Sequence, residues 1–309
     1  MYSNMYNKYK TKYIELKNTN NDIFNQMGGY KILEKKFKMI EYINKKTYIL
    51  NNIDNEKLDN FSEFPIGSIT KIFTIISLLL LHQDKKIDIY DNIGIYIDNY
   101  FNDKDINNIK IIDIINHKSG LKLKFDNYEI GRSKIKYNCT TEILEKSKNN
   151  IIIDKKLIGT FSYFNFGYII LGFLIENITN MTYSEYVKNN ILIPLKMNNT
   201  SIEDCNITLY DGKYKKLNKY QKWERSFASS AGELKSCIDN LKKFSSFINL
   251  LKNKTLLLLK NIYIFRENEK EFEISHNGGI VGGKSEIFIT YNKKWINKNI
   301  YIELQTAIY

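Results

Sequence analysis

Residues 66–76 read Ile66-Gly67-Ser68-Ile69-Thr70-Lys71-Ile72-Phe73-Thr74-Ile75-Ile76, and the apolar run continues to Leu81. Ile72, Ile75, Ile76, Leu79 and Leu80 recur at helical spacing, so residues 68–82 are predicted to form a buried helix. Pro65-Ile66-Gly67 punctuates its start. A three-residue step at the opening of a helix puts Ser68 and Lys71 on one face. A serine hydroxyl is a poor nucleophile until a neighbour takes its proton. A desolvated lysine with a lowered pKa can do that. The same residues also read as a helix-capping serine followed by a solvent-facing lysine.

Two later stretches could join such a site. In Phe161-Ser162-Tyr163-Phe164-Asn165, a tyrosine near a lysine can shuttle protons. The asparagine two residues on can meet both the lysine and a substrate amide. Tyr163 is also one of 23 tyrosines, any of which can be an ordinary packed aromatic. In His276-Asn277-Gly278-Gly279, at the end of a predicted strand, glycines allow close backbone approach and a free N–H can donate to an oxyanion. A glycine-rich turn with an exposed histidine is the plainer alternative.

Outward from these stretches, residues 1–28 form a polar leader ending at Gly28-Gly29, and residues 45–52 read as a strand. Residues 85–220 are dominated by helical patterns, at 109–116, 168–177 and 183–190 among others. Residues 231–251 read as one amphipathic helix with Leu241, Phe244, Phe247 and Ile248 on one side. After it the period shortens, and 260–265, 271–276, 285–291 and 300–305 are strand-like. Strand material, a helical middle and a final antiparallel run imply an α/β or α+β layer with a helical insertion.

Composition narrows the function classes. The 46 basic and 34 acidic residues give a net charge of +12, yet acidic residues interrupt the lysines almost everywhere, so no nucleic-acid partner is expected. Cys139, Cys205 and Cys237 form no CxxC pair and no metal-like spacing with His82, His117 or His276. Reduced thiols and no metal or cofactor are expected. The N-terminus lacks an apolar signal region, and residues 75–81 are too short a run to span a bilayer. A soluble protein of a reducing compartment is the expectation, while the oligomeric state is not readable.

In order and spacing, Ser68/Lys71, Tyr163/Asn165 and His276/Gly278 resemble the SxxK, YxN and [HK]xG motifs of the serine β-lactamase-related superfamily, in its class C β-lactamase, DD-peptidase and esterase branch. Residues 117–121 (HKSGL) are similar to its HTSGL loop, 191–202 to its PLGM-x-x-T segment, and 227–244 to its AGGL-x-S-x-x-D-L-x-x-F helix. The resemblance covers roughly residues 60–305. It implies a β-lactamase/transpeptidase-like α/β (α+β) fold, an antiparallel sheet flanked by helices. The domain would span 29–309, with the α/β part at about 29–84 and 225–309 and the helical part at about 85–224.

The resemblance also implies roles. Ser68 would be the acylated nucleophile, Lys71 its proton partner, and Tyr163, or a coupled Lys71–Tyr163 pair, the general base. Asn165 would orient the substrate amide, and the N–H groups of Ser68 and Gly279 would form the oxyanion hole. His276 would hold a substrate carboxylate or tune Tyr163, and His117 would bridge a turn. The expected activity is hydrolysis of an ester, amide or β-lactam bond in a small-molecule or peptide-like substrate. The alternative is a catalytically idle penicillin-binding-like or scaffold protein. HxG in place of KTG, and Asn277 where Thr or Ser is usual, weaken the case for carboxylate-bearing substrates. Residues 8–18 also resemble N-terminal segments of giant-virus proteins, which would place the chain in a host cytoplasm or a virion.

Overall fold

The computed structural model describes residues 38–306, apart from 44, 52, 99, 125–136, 211–215, 217–227 and 281. The leader at 1–28 therefore lies outside the described residues. In chain order the strands are β1 (Lys38–Ile43), β2 (Lys46–Asn51), β3 (Phe64–Pro65), β4 (Ser119–Leu123), β5 (Ile151–Ile158), β6 (Lys235–Ser236), β7 (Phe265–Glu267), β8 (Glu271–Ile280), β9 (Gly283–Asn292) and β10 (Asn297–Thr306). The helices are α1 (Thr70–Gln83), α2 (Lys104–Asn107), α3 (Ile111–Ile115), α4 (Thr140–Ser147), α5 (Asn165–Thr179), α6 (Tyr183–Val187), α7 (Ser229–Gly232), α8 (Ile238–Phe244) and α9 (Asn253–Leu258).

Among the described residues, β2-β1-β10-β9-β8-β7 form one antiparallel sheet. Its core face follows a period of two: Ile40 and Tyr42, Ile302 and Leu304, Ile287 and Ile289, Phe272 and Ile274 are all buried. Helices α1 and α5 are apolar nearly all round, as befits helices buried in a core. Glu176, on the last turn of α5, is buried and accepts from the N–H groups of Thr140, Thr141 and Tyr183. One carboxylate thereby satisfies orphan donors at the starts of α4 and α6.

The predicted helix at 68–82 is found as a 3-10 turn, Gly67–Ile69, running into α1. Three sequence expectations are corrected. The expected single helix at 231–251 is broken into α7, β6, α8 and a 3-10 turn at Phe247–Leu250. Its apolar positions are buried as expected, but Lys235 and Ser236 leave the helix to pair with Pro65 and Phe64. The Lys235 ammonium is drawn there to the buried carboxylate of Glu63, so tertiary pairing overrides the helical period. The expected strand at 260–265 starts only at Phe265. The N–H groups of Ile262 and Phe265 instead bond back to Leu259 and Ile262 in tight turns. The helical middle also contains an antiparallel β4–β5 pair, joined through α4, in which Leu121, Lys122 and Leu123 face Ile153, Ile152 and Ile151.

The sheet meets the start of α1 at two glycines. A Cβ on Gly278 of β8 would lie 2.1 Å from the Ile66 carbonyl oxygen and 2.5 Å from Ser285 Oγ. Ser285 Oγ itself donates to that carbonyl at 2.7 Å. Gly67 has φ +48°, and its Cβ would lie 2.7 Å from the Gly279 nitrogen. Only glycine at 67 and 278 allows this approach, whereas a Cβ on Gly279 meets nothing within 4 Å. Gly278→Ala is therefore expected to destabilise the fold by about 1–3 kcal/mol through overpacking, with Gly279→Ala close to neutral. Thermal denaturation of the two variants side by side checks this, and equal losses would contradict it.

Candidate active site

Ser68 sits in the 3-10 turn ahead of α1, and neither the turn nor the helix is capped by a side chain. The hydroxyl is engaged elsewhere. Lys71 Nζ lies 3.0 Å from Ser68 Oγ, and the Tyr163 hydroxyl donates to the same oxygen at 2.7 Å. Lys71 is fully buried, so the reading of a capping serine with a solvent-facing lysine is excluded. Its ammonium nitrogen also donates to Asn165 Oδ1 at 2.8 Å and to the Ala231 carbonyl at 2.6 Å. All of these partners are uncharged, and burial pushes the Lys71 pKa well below its ordinary value.

Each partner arrives on a different element. Asn165 is the first residue of α5, and Tyr163 lies two residues ahead of it, 40% exposed. Its hydroxyl therefore reaches the serine from the open side of the site. The Lys71 nitrogen stands 5.0 Å from the Tyr163 ring centroid and 5.4 Å from that of Tyr168. The Ala231 carbonyl comes from α7, which packs tightly on α5: a Cβ on Gly172 would lie 2.2 Å from Ser230 Oγ. Ser230 Oγ donates to the Tyr168 carbonyl, and the Ser230 carbonyl accepts from Thr74 of α1.

β8 supplies the far wall. His276, Gly278 and Gly279 lie within the strand, not in a turn. His276 Nδ1 is 2.5 Å from the Asn277 carbonyl oxygen, which can only accept, so Nδ1 carries the proton. Nε2, 2.8 Å from the Tyr263 hydroxyl, is then the acceptor. Burial, together with the nearby Lys71, lowers the His276 pKa to about 3, so the ring is neutral at pH 7. A neutral ring with both nitrogens engaged offers no positive charge to a substrate carboxylate.

His117, in the HKSGL loop, is buried beside Tyr163 with ring centroids 4.4 Å apart. Burial first, and Lys71 and His276 next, lower its pKa to about 3.

Ser68, Lys71, Tyr163 and Asn165 are thus joined by hydrogen bonds, Gly278 and Gly279 lie against Ile66 and Gly67, and His276 is tied to Tyr263. Two further contributors carry no readable signal. The Ala231 acceptor is a backbone carbonyl, which any residue supplies. Tyr263 follows a 3-10 turn and is one tyrosine among many. Among the described residues no group of His, Cys, Asp and Glu could hold a metal ion, and no helix is long and apolar enough to cross a membrane.

A serine clasped by a buried amine and a phenol, at the head of a core helix beside an antiparallel sheet, defines the serine hydrolases of β-lactamase/transpeptidase-like fold. The chain belongs to the beta-lactamase family, whose match spans residues 44–285. Protein flp of Staphylococcus aureus (strain N315) is 26% identical over 175 residues, which cover 52% of this chain and 32% of that protein. The match therefore spans about a third of that relative's length. D-amino acid amidase from Ochrobactrum anthropi SV3 superposes with a TM-score of 0.70 at 19% identity, over 90% of this chain and 91% of that one. A class C beta lactamase from Rhodobacter sphaeroides gives a TM-score of 0.66 at 12% identity, over 88% and 90% of the two chains.

The lowered Lys71 pKa has a measurable consequence. Between that pKa and the ordinary 10.5, the unfolded chain holds a proton on Lys71 that the folded chain lacks. Stability must then rise with pH in this window. The unfolding free energy of wild type minus that of Lys71→Met is expected to rise towards pH 10.5 with a slope of up to about 1.4 kcal/mol per pH unit. Denaturant titrations at a series of pH values measure it, and a flat or falling difference would contradict a depressed pKa.

Proposed function

We propose that the protein is a serine hydrolase that forms an acyl-enzyme on Ser68 and cleaves an ester or amide bond. The observation that carries this reading is the proton inventory at Lys71. The Ala231 carbonyl and Asn165 Oδ1 can only accept, so two N–H bonds of Lys71 are committed to them. In the neutral amine that burial favours, the lone pair then faces Ser68 Oγ. Tyr163, donating to Oγ, leaves the serine proton free to point at that lone pair.

On this reading, Ser68 Oγ attacks the substrate carbonyl carbon as its proton passes to Lys71 Nζ. The oxyanion forms beside the backbone N–H groups of Ser68 and Gly279, where the N-terminus of α1 adds a favourable dipole. The carbonyl–leaving group bond then breaks. The leaving group takes the Tyr163 hydroxyl proton, and Lys71 returns its extra proton to the phenolate. Deacylation reverses the roles. Water gives its proton to the Tyr163–Lys71 pair while its oxygen attacks the acyl carbon, and Ser68 Oγ leaves with a proton from that pair. Asn165, exposed at the mouth of the site, orients the substrate amide.

The neutral, fully engaged His276 favours uncharged esters and amides over carboxylate-bearing β-lactams. Small-molecule and peptide-like substrates both fit this chemistry. The idle-scaffold alternative gains no specific support, since the serine, amine and phenol lie within hydrogen-bond reach of one another.

Purified protein is to be incubated with a p-nitrophenyl ester, a fluorophosphonate and a fluorescent penicillin, following turnover and intact mass. The expected result is turnover of the ester and one covalent adduct on Ser68, with Ser68→Ala lowering the rate by at least about 10³-fold. The penicillin is expected to acylate more slowly than the neutral reagents. Equal behaviour of wild type and Ser68→Ala with every reagent would overturn the reading.

A further inference from the structure

We propose that His117 is a positioning residue for Tyr163, holding the tyrosine aimed at Ser68 by a hydrogen bond on one side and ring contact on the other. The inference rests on the reading that Ser68 is acylated with the help of Tyr163. It concerns a histidine outside the three catalytic motifs.

The backbone around His117 is the first observation. The His117 N–H bonds to the Ile114 carbonyl and the Lys118 N–H to the Asp113 carbonyl, closing the end of α3. His117 stands at the left-handed position of this motif, with φ +56°. Glycine or asparagine is the usual residue there, since a Cβ at such a φ costs about 1–2 kcal/mol. A histidine at this position places a side chain where glycine would leave none.

The second observation is what that side chain does. Residues 159–164 link β5 to α5 and carry Tyr163 without a strand or helix of their own. The HKSGL loop ties this link down at successive points. The Gly159 N–H donates to the Lys118 carbonyl at 2.8 Å, and the Ser162 N–H to the His117 carbonyl at 2.7 Å. The Phe164 N–H donates to His117 Nδ1 at 3.2 Å. Two of these bonds flank Tyr163, one on each side, and both end on His117. The imidazole also lies against the Tyr163 ring, tilted by 36°. Phe161, Tyr168 and Tyr263 surround the same imidazole at 5.0–5.6 Å and fix its plane.

The third observation is a cost that packing alone would not keep. With Nδ1 accepting, the ring proton sits on Nε2, which is buried and without a partner among the described residues. An orphaned buried N–H is unfavourable. A purely apolar ring would avoid that penalty but could not accept from Phe164. The low pKa of His117 fits this arrangement, because a protonated ring would lose the Nδ1 acceptor.

The test uses His117→Asn, which suits a left-handed backbone and keeps a short acceptor, and His117→Phe, which keeps a ring and loses the acceptor. Each is made in wild type and in Tyr163→Phe. The readout is the turnover rate for an ethyl ester, whose alkoxide leaving group needs the Tyr163 proton, per active site titrated with a fluorophosphonate by intact mass, with a thermal midpoint for each variant. A merely structural role lowers the titratable fraction and the midpoint but not the rate per site. The expected loss is about 10–100-fold for His117→Phe, in keeping with small misplacements of a reacting group, and a smaller loss for His117→Asn. In the Tyr163→Phe background both losses should shrink to less than about 3-fold, since the two residues act as one unit. Equal losses in the two backgrounds, or a wild-type rate for His117→Phe, would overturn the proposal. A wild-type rate for Tyr163→Phe alone would remove the underlying reading of Tyr163, and the positioning role with it. Should His117→Phe not fold, the Asn variant in the two backgrounds gives the same comparison.

Discussion

The constraint on which this structure turns is the burial of one amine among neutral acceptors. Lys71 lies on the first turn of a helix whose remaining surface is almost wholly apolar, so water cannot solvate its charge. No carboxylate compensates among its hydrogen-bond partners, which are a serine, an asparagine and a backbone carbonyl. Such an arrangement is poor for stability, since an isolated buried charge is costly and is relieved by loss of the proton. It suits the proposed chemistry, because an amine without its proton is the base the serine needs. The contrast with Lys235 is instructive: that buried lysine has the Glu63 carboxylate beside it, and it serves to pin β6 to β3.

Holding Lys71 in this state requires three elements to come within contact distance of one turn. Gly172 lets α7 close on α5, bringing the Ala231 carbonyl to the amine. Gly67 and Gly278 let β8 close on the turn that carries Ser68, so the Gly279 nitrogen stands against Gly67, the residue before Ser68. The glycine of the HxG motif is thus explained by the Ile66 carbonyl it faces, without appeal to substrate. The histidine of that motif is likewise tied into the protein, through Tyr263 and its own neighbouring carbonyl.

Much of this was legible in the sequence, and the exceptions share a physical cause. The helix of residues 70–83 could be read because its apolar residues keep helical spacing over four turns, and the strands β8, β9 and β10 because they alternate. Ser68, Lys71, Tyr163 and Asn165 could be named from motif order. Residues 231–251 misled because a helical period survives a break when the pieces bury the same side chains; the crossing at Lys235 is decided by Glu63, 172 residues away. The β4–β5 pair was hidden because isoleucine-rich stretches suit helix and strand alike. His117 was readable as a turn residue, but its hold on Phe164 depends on a left-handed backbone that composition does not announce.

A direct measurement of the Lys71 proton tests this account most sharply. In protein labelled with carbon-13 at lysine Cε, the Lys71 resonance can be assigned by its absence in Lys71→Met and followed across pH. A titration midpoint well below 10.5 is predicted, leaving the amine neutral where the serine is to be activated. A Lys71 that stays charged up to its ordinary pKa would contradict it.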